Sequence, residues 1–196
     1  MSRPDIRRST VLLRPLSDPD RDLVLSWRNS PDVAAQMFSD DVISTEEHRV
    51  WFDDVRRSSA QRYWMIEHTG RAIGVADLTD IDMANLRCEW AYYIGDVSAR
   101  GQSTPGAVEY GVLDYAFLGV GLRKVSCQVL ATNGRVAHMH RRFGFRDEGL
   151  LRAHVLKRGE PVDVIVLAML RHEWLARRDA FARLFASAVT VLDPAA

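Results

Sequence analysis

Apolar positions along this chain fall into two periods, and the places where one gives way to the other predict the order of its elements. Val11-Leu12-Leu13 reads as a short strand, followed by turn residues Ser17 to Asp20, of which Asp18 or Asp20 suits a helix cap. That helix is expected to reach Arg28 with Leu23 and Trp27 on its buried face. Asn29-Ser30-Pro31-Asp32 then breaks the pattern before a short segment holding Val33 and Met37. Ser44 opens the clearest helix. Glu47 follows three residues later, as a capping box requires, and Ile43 stands ahead as a staple residue. His48, Trp51, Phe52 and Val55 share one face of it, and it is expected to end near Arg57.

Strand patterns take over from there. Tyr63 to Glu67 and Ile73 to Leu78 form a hairpin through His68-Thr69-Gly70-Arg71, where the glycine suits a tight turn. Leu86, Cys88, Trp90, Tyr92 and Ile94 alternate with Arg87, Glu89, Ala91 and Tyr93, giving one apolar and one mixed face. A glycine-containing stretch from Gly95 to Gly106 leads into a helix from Pro105 to Leu118, where proline in the first turn removes no needed donor. Val125 to Leu130 is a strand, and Asn133 or Gly134 opens a helix closing at Phe143-Gly144. Leu150 to Lys157 and Val162 to Leu170 flank Arg158-Gly159-Glu160 as a hairpin, and a last helix covers Arg171 to Phe185. With no repeat or linker, this predicts one mixed α/β (α+β) domain over residues 11–186, with 1–10 and 187–196 as flexible ends. The alternation of elements excludes a plain helical bundle.

Composition narrows the function classes rather than the fold. The 196 residues are 47% hydrophobic, and 26 basic against 26 acidic side chains give a formal charge of zero, which argues against a general nucleic-acid coat. Arg56-Arg57 and Arg141-Arg142 are short pairs of the kind that line solvated helices. No run is long enough to span a bilayer, and Met1-Ser2-Arg3-Pro4-Asp5 lacks the apolar core of a signal peptide. Cys88 and Cys127, isolated in hydrophobic runs, read as buried thiols of a cytoplasmic protein and have no zinc-like spacing.

Three stretches carry a family resemblance: Arg100 through Phe117, Asn133 through Phe145, and the N-terminal Trp27-Arg28-Asn29 with Ile43-Ser44 through Phe52. The chain resembles the GCN5-related N-acetyltransferases (GNAT), whose mixed sheet splays open around the pantetheine arm of acetyl-CoA. Leu150-Leu151-Arg152-Ala153-His154 and Asp163-Val164-Ile165 add similarity to a subgroup, the pseudaminic-acid-pathway acetyltransferases. The resemblance implies acetyl-CoA as co-substrate, no metal, a possible homodimer, and direct acetyl transfer to the 4-amino group of UDP-4-amino-4,6-dideoxy-N-acetyl-β-L-altrosamine. One departure stands out. The family's pyrophosphate loop, an Arg or Gln, two residues, Gly, one residue, then Gly or Ala, is not intact in Arg100-Gly101-Gln102-Ser103-Thr104-Pro105-Gly106-Ala107. Pro105 supplies no N–H to a phosphate, while Gly101, Gln102, Ser103, Thr104, Gly106 and Ala107 retain theirs. The loop is read either as a re-registered cofactor cradle or as a plain strand-to-helix connection.

Acetyl transfer to an amine needs the amine neutral, the thioester carbonyl held and the leaving thiolate protonated, and none of this calls for a cysteine nucleophile. His140, where the family more often has tyrosine, is the preferred general acid, and His138 is turned to another helical face. Glu89 is the candidate general base, against a bland reading as a salt-bridged strand residue. Asn133 is expected to contact the pantetheine or to cap the next helix, and the Ile94–Asp96 backbone to polarise the acetyl carbonyl. Arg28, His48, Trp51, Tyr93, His154 and Asp163 are the acceptor-site candidates. The competing functions are a protein N-terminal acetyltransferase of the ribosomal-protein type, which needs a groove for an extended peptide, and a noncatalytic acyl-CoA-binding module. Aminoglycoside modification is less favoured, because a polycationic substrate generally favours an acidic cleft, which a neutral overall charge does not exclude.

Overall fold

The computed structural model describes residues 10–99 and 104–194. Arg100, Gly101, Gln102 and Ser103, all cofactor-site candidates, lie outside the described residues. The helices are α1 (Arg21–Arg28), α2 (Pro31–Ala34), α3 (Thr45–Arg57), α4 (Thr104–Asp114), α5 (Gly134–Phe143) and α6 (Arg171–Phe185). The strands are β1 (Val11–Pro15), β2 (Arg62–His68), β3 (Arg71–Asp82), β4 (Arg87–Ile94), β5 (Lys124–Leu130), β6 (Arg146–Lys157), β7 (Glu160–Leu170) and β8 (Val189–Val191). They form one sheet in the order β6-β7-β5-β4-β3-β2-β1-β8. No helix among the described residues is long and apolar enough to cross a membrane.

Strand alternation sorts the side chains onto two faces of this sheet. On one, Trp64, Ala76, Leu78, Cys88, Trp90, Val125, Cys127 and Leu167 bury against Val108, Val112, Ala137, Phe143 and Trp174 of α4, α5 and α6. On the other, Met65 and Val75 pack with Leu16, Val24 and Phe52 under α1 and α3. Phe52 is fully buried, worth roughly 2 kcal/mol of transfer free energy. The capping box forms as expected: Ser44 N donates to Glu47 Oε2 at 2.9 Å and Glu47 N to Ser44 Oγ at 3.2 Å. Gly144 closes α5 at φ 114, in the left-handed region that favours glycine.

Two expectations need correction. Leu23 is 38% exposed and Val24 takes the buried position of α1, because the helix starts at Arg21 and turns Leu23 outward. Within 187–196, expected as a flexible end, Val189–Val191 is a strand. β8 pairs in parallel with β1, Val11↔Val189 to Leu13↔Val191, and Trp64 Nε1 donates to Leu192 O at 2.7 Å. Gly111 of α4 makes room for this strand, since a Cβ there would meet the methyl carbons of Val189 and Val191 at 3.0 Å.

Candidate active site

The sheet opens between β4 and β5. These parallel neighbours pair only through Arg87↔Lys124, Cys88↔Val125 and Glu89↔Ser126, whereas β3–β4 pairing continues to Ile94 and β5–β7 pairing to Leu130. From Trp90 onward β4 therefore presents alternate backbone groups to an empty seam. The seam suits an extended acyl-thioester arm lying between two strand edges.

The face under α1 and α3 carries a polar row that the register sets. Tyr63, Asp77 and Ala91 are directly opposite one another on β2, β3 and β4. Glu89 and Tyr93, two residues either side of Ala91, are diagonal neighbours of Asp77 on the same face. Burial pushes the Asp77 carboxyl up to about 7, with Glu89 adding like-charge repulsion and the Ala91 amide and Arg28 opposing. Ala91 is exposed, so this row opens to solvent at its centre. The Tyr93 hydroxyl is buried with no hydrogen-bond partner, a donor suited to a ligand. Glu89 accepts from Gln128 Nε2 at 3.2 Å across the opening seam. Trp51 stands edge-on to Tyr63, ring centroids 5.3 Å apart, and closes the row from α3.

Trp27-Arg28-Asn29 now has a mechanical reading. Trp27 lies so close over Gly95 that a Cβ there would be 2.2 Å from the indole ring. Asn29 clamps the segment before α3, donating to Ile43 O and accepting from Ile43 N, both at 2.9 Å. Arg28, between these two anchors, acts electrostatically on Asp77, Tyr63 and Tyr93. The β6–β7 hairpin closes the same region at its tip. Lys157 pairs with Asp40 and donates to Ala34 O at 3.1 Å, while Arg158 N donates to Asp40 Oδ2 at 2.6 Å.

The structure thus gathers Arg28, Trp51, Glu89 and Tyr93 around Asp77, stacks His48 behind Trp51 with ring centroids 5.1 Å apart, and commits Asp163 and His154 to the β6–β7 hairpin. His48 is 2% exposed and its Nε2 donates to Arg21 O at 2.8 Å, tying α3 to α1 and leaving the ring no route to an acceptor. Asp163 Oδ1 accepts from Ala153 N at 2.7 Å, which stabilises the bulge where β6 slips register between Leu151 and Val155. His154 is exposed on that edge strand.

The opposite face holds the other half. His140 is 3% exposed, its Nδ1 2.9 Å from Glu109 Oε1. Its ring stands edge-on to Trp90 at 5.2 Å, beside the seam, while His138 is exposed. Asn133 N-caps α5 through its backbone, with no side-chain capping bond, so its amide group is left for other work. Gly95 and Asp96 both donate to Ile73 O, at 2.8 and 3.0 Å, so neither amide is left to polarise a carbonyl.

At the start of α4, Thr104 is 2% exposed and its hydroxyl has no partner. The described part of α4 opens at Thr104, and amides at a helix N-terminus fit an anionic group, which keeps Thr104, Gly106 and Ala107 as cofactor-site candidates. The side-chain positions there point inward: Ala107 is in the core, and a Cβ on Gly106 would meet Phe185 at 2.7 Å. Gly106 is thus required by α4–α6 packing, apart from any phosphate.

Sequence reasoning missed Asp77 and Glu109. Asp77 lay in a run read as apolar strand, and Glu109 in a helix whose residues from Ala107 to Leu113 are all buried. A carboxylate inside such a run is itself the signal, because an acid there needs a partner or a function.

Comparison with known proteins follows this geometry. A family model described as an acetyltransferase (GNAT) domain matches residues 10–146. The spermidine N(1)-acetyltransferase of Escherichia coli K12 is 26% identical over 168 residues, 85% of this chain and 89% of that one. The acetyltransferase PseH of Campylobacter jejuni strain 81-176 is 23% identical over 131 residues, 66% and 79% of the two chains. The crystal structure of Vibrio cholerae spermidine N-acetyltransferase with CoA and spermine superposes with a TM-score of 0.80 at 22% identity, covering 85% of this chain and 98% of that chain.

Proposed function

The chain belongs to the GNAT acetyltransferase family and takes its acetyl group from acetyl-CoA, and we propose that its acceptor is the primary amine of a small cationic molecule of polyamine type. The observation that carries this reading is the Asp77–Glu89 pair on the face under α1 and α3. A polycationic acceptor favours an acidic cleft, and this pair supplies two carboxyl groups for one. Two carboxylates flanked by Tyr63, Tyr93 and Trp51 can attract an ammonium group and accept its proton. A nucleotide diphosphate would ask for several cations. Among the described residues of this row Arg28 is the cation, while Lys157 is engaged with Asp40. The E. coli relative named for spermidine supports the same class.

In this mechanism Asp77, poised near neutrality, takes the amine's first proton, and Glu89 helps hold the ammonium until it does so. Tyr93 and Trp51 orient the carbon skeleton. Thr104 and the first-turn amides of α4 hold the coenzyme's phosphates, Asn133 its pantetheine arm, and His140 stands by the seam to protonate sulfur. When bound, acetyl-CoA supplies the activated acyl group, and every proton movement falls to these side chains. Buried free thiols at Cys88 and Cys127 support a cytoplasmic setting.

A second reading keeps the UDP-4-amino-4,6-dideoxy-N-acetyl-altrosamine acceptor. It is favoured by Arg28 at the cleft, by the subgroup similarity of the stretches it belongs to, and by the hairpin tip that encloses the cleft at Asp40. That same enclosure disfavours an extended peptide. A panel of spermidine, spermine, the UDP-amino-sugar and N-terminal peptides, with mass detection of acetylated product, decides. Acetylated spermidine or spermine, without sugar product, is the expected outcome. Product from the nucleotide sugar alone would replace the polyamine reading, and product from none of them would refute both.

A further inference from the structure

Glu109 of α4 meets His140 of α5 in a setting where an ionisable pair is costly. Glu109 is 0% and His140 3% exposed, and Glu109 Oε2 has no hydrogen bond. The remaining walls are apolar: Trp90 stands edge-on to the imidazole at 5.2 Å and Phe145 tilts against it at 5.3 Å. A well-packed apolar pair is commonly as stable as, or more stable than, a half-satisfied buried carboxylate. Core packing alone therefore gives no reason for an acid here.

We propose that Glu109 is a positioning residue for acetyl transfer: it holds His140 with Nδ1 protonated and turns Nε2, with the transferable proton, toward the sulfur leaving group in the β4–β5 seam. This rests on the acetyltransferase reading and adds to it the group that sets the acid's tautomer. The Nδ1–Oε1 distance of 2.9 Å fixes one ring nitrogen. Nε2 is then the ring's other polar atom, on a residue packed against the seam-lining Trp90. The loaded pair is carboxylate plus imidazolium, or carboxylic acid plus neutral imidazole, and the two forms have the same proton count.

The atoms balance. The amine nitrogen bonds to the acetyl carbon, the carbon–sulfur bond breaks, and its electron pair goes to sulfur. The pair gives sulfur one proton through Nε2, ending as carboxylate with Nδ1-protonated neutral imidazole. An ammonium acceptor sheds two protons in becoming an amide. One reloads the pair through solvent, and the other is released.

The titratable neighbours leave the pair's charge to its own two members. From β4, Tyr92 feels Glu109, and burial holds its phenol well above the ordinary range. From β5, Cys127 feels Glu109 and Glu89, and its thiol is likewise held well up, so both stay neutral. Arg135, on His140's own helix, acts on Tyr92.

The test uses the full chain as wild type, Glu109→Gln, His140→Gln and the double variant. Imidazole nitrogen shifts of the acetyl-CoA-free wild type should show the Nδ1-protonated tautomer once the pair has lost its proton. With the amine turned over in the acceptor panel, Glu109→Gln should lower the single-turnover rate ~100-fold at unchanged acetyl-CoA affinity. Its alkaline limb should move to lower pH, because imidazolium loses its counter-charge. In the His140→Gln background the same change should cost under roughly 2-fold, since Glu109 acts through the imidazole. An Nε2-protonated tautomer in the wild type after the pair has lost its proton, an unmoved alkaline limb, or an equal loss in both backgrounds would overturn the proposal. If the wild type acetylates no amine, the functional reading fails by itself, and the nitrogen shifts still decide the pairing.

Discussion

Replacing Asp77 by asparagine should make the protein more stable and less active at once. Asparagine keeps the shape and can still accept from the Ala91 amide, so what is lost is the charge and its proton. In the folded chain the carboxyl titrates at about 7 against an ordinary 3.8, because burial disfavours its charged form. A folded value raised above the unfolded one gives stability that is complete below pH ~3.8 and lost as pH rises through about 7. The full difference corresponds to ~4 kcal/mol, and because Asp77 keeps some exposure, solvent screening brings this to on the order of 2 kcal/mol. Asp77→Asn should therefore melt higher than wild type at pH 8 and match it at pH 4. Turnover should move the other way. An alkyl ammonium near pKa ~10.4 is neutral in only about 0.04% of molecules at pH 7, so a base poised there is worth ~100- to ~10,000-fold. Wild-type kcat/KM should rise through a limb near pH 7 that Asp77→Asn lacks, its residual rate climbing with pH until the amine itself deprotonates. Differential scanning calorimetry and stopped-assay pH profiles measure the two arms. A variant that is less stable at pH 8, or that keeps the limb near 7, would refute the assignment of Asp77 as the proton acceptor.

The start of α4 yields two further tests. Thr104→Val should leave thermal stability unchanged or slightly raised, because it removes a buried hydroxyl with no partner, yet weaken acetyl-CoA binding by roughly 5- to 10-fold in isothermal titration. Gly106→Ala should lower stability by ~1–3 kcal/mol through its clash with Phe185, seen as a lower melting temperature without acetyl-CoA, and Phe185→Ala in the same chain should recover part of the loss.

The elements that rest on local chemistry were legible in the sequence. The Ser44–Glu47 box, the β4 alternation and the Gly144 stop each depend on residues within a few positions of one another, and each is found as read, except that Leu86 lies before β4, exposed and at φ 52. Glu89 and Tyr93 do share a face, as their spacing required. What was not legible depends on register and on distant packing. Asp77 has meaning only because β3 sets it opposite Ala91, and a local reading of 73–78 sees an apolar strand. Glu109 becomes an acid of interest through a residue 31 positions away. β8 is three residues long and is defined by β1, 178 residues earlier; Val189, Thr190 and Val191 are all β-branched, but a run that short does not separate a strand from a loop. His48 is held between α3 and α1 for a related reason. Helical spacing put it on the buried face, and the carbonyl it satisfies belongs to α1.

The division of proton work between the two sheet faces has a consequence for the pH profile as a whole. Asp77 and Glu89 lie under α1 and α3, Glu109 and His140 under α4 and α5, with the β4 backbone between them. Carboxylates side by side, ~4 Å apart at an effective dielectric near 20, would repel by ~4 kcal/mol and titrate as one coupled system. Across a sheet, at on the order of 10 Å, the same charges interact by under ~2 kcal/mol, and by less where water enters the seam. Base and acid can then hold different proton affinities at one working pH, as a reaction that removes protons from nitrogen while giving one to sulfur requires. On the proposed mechanism the rising limb of the rate should follow Asp77. Substitution on one face should shift one limb and leave the other where it was. Movement of both limbs by a single change at Asp77 would mean that the sheet does not insulate the two groups, and that one coupled network carries all the protons.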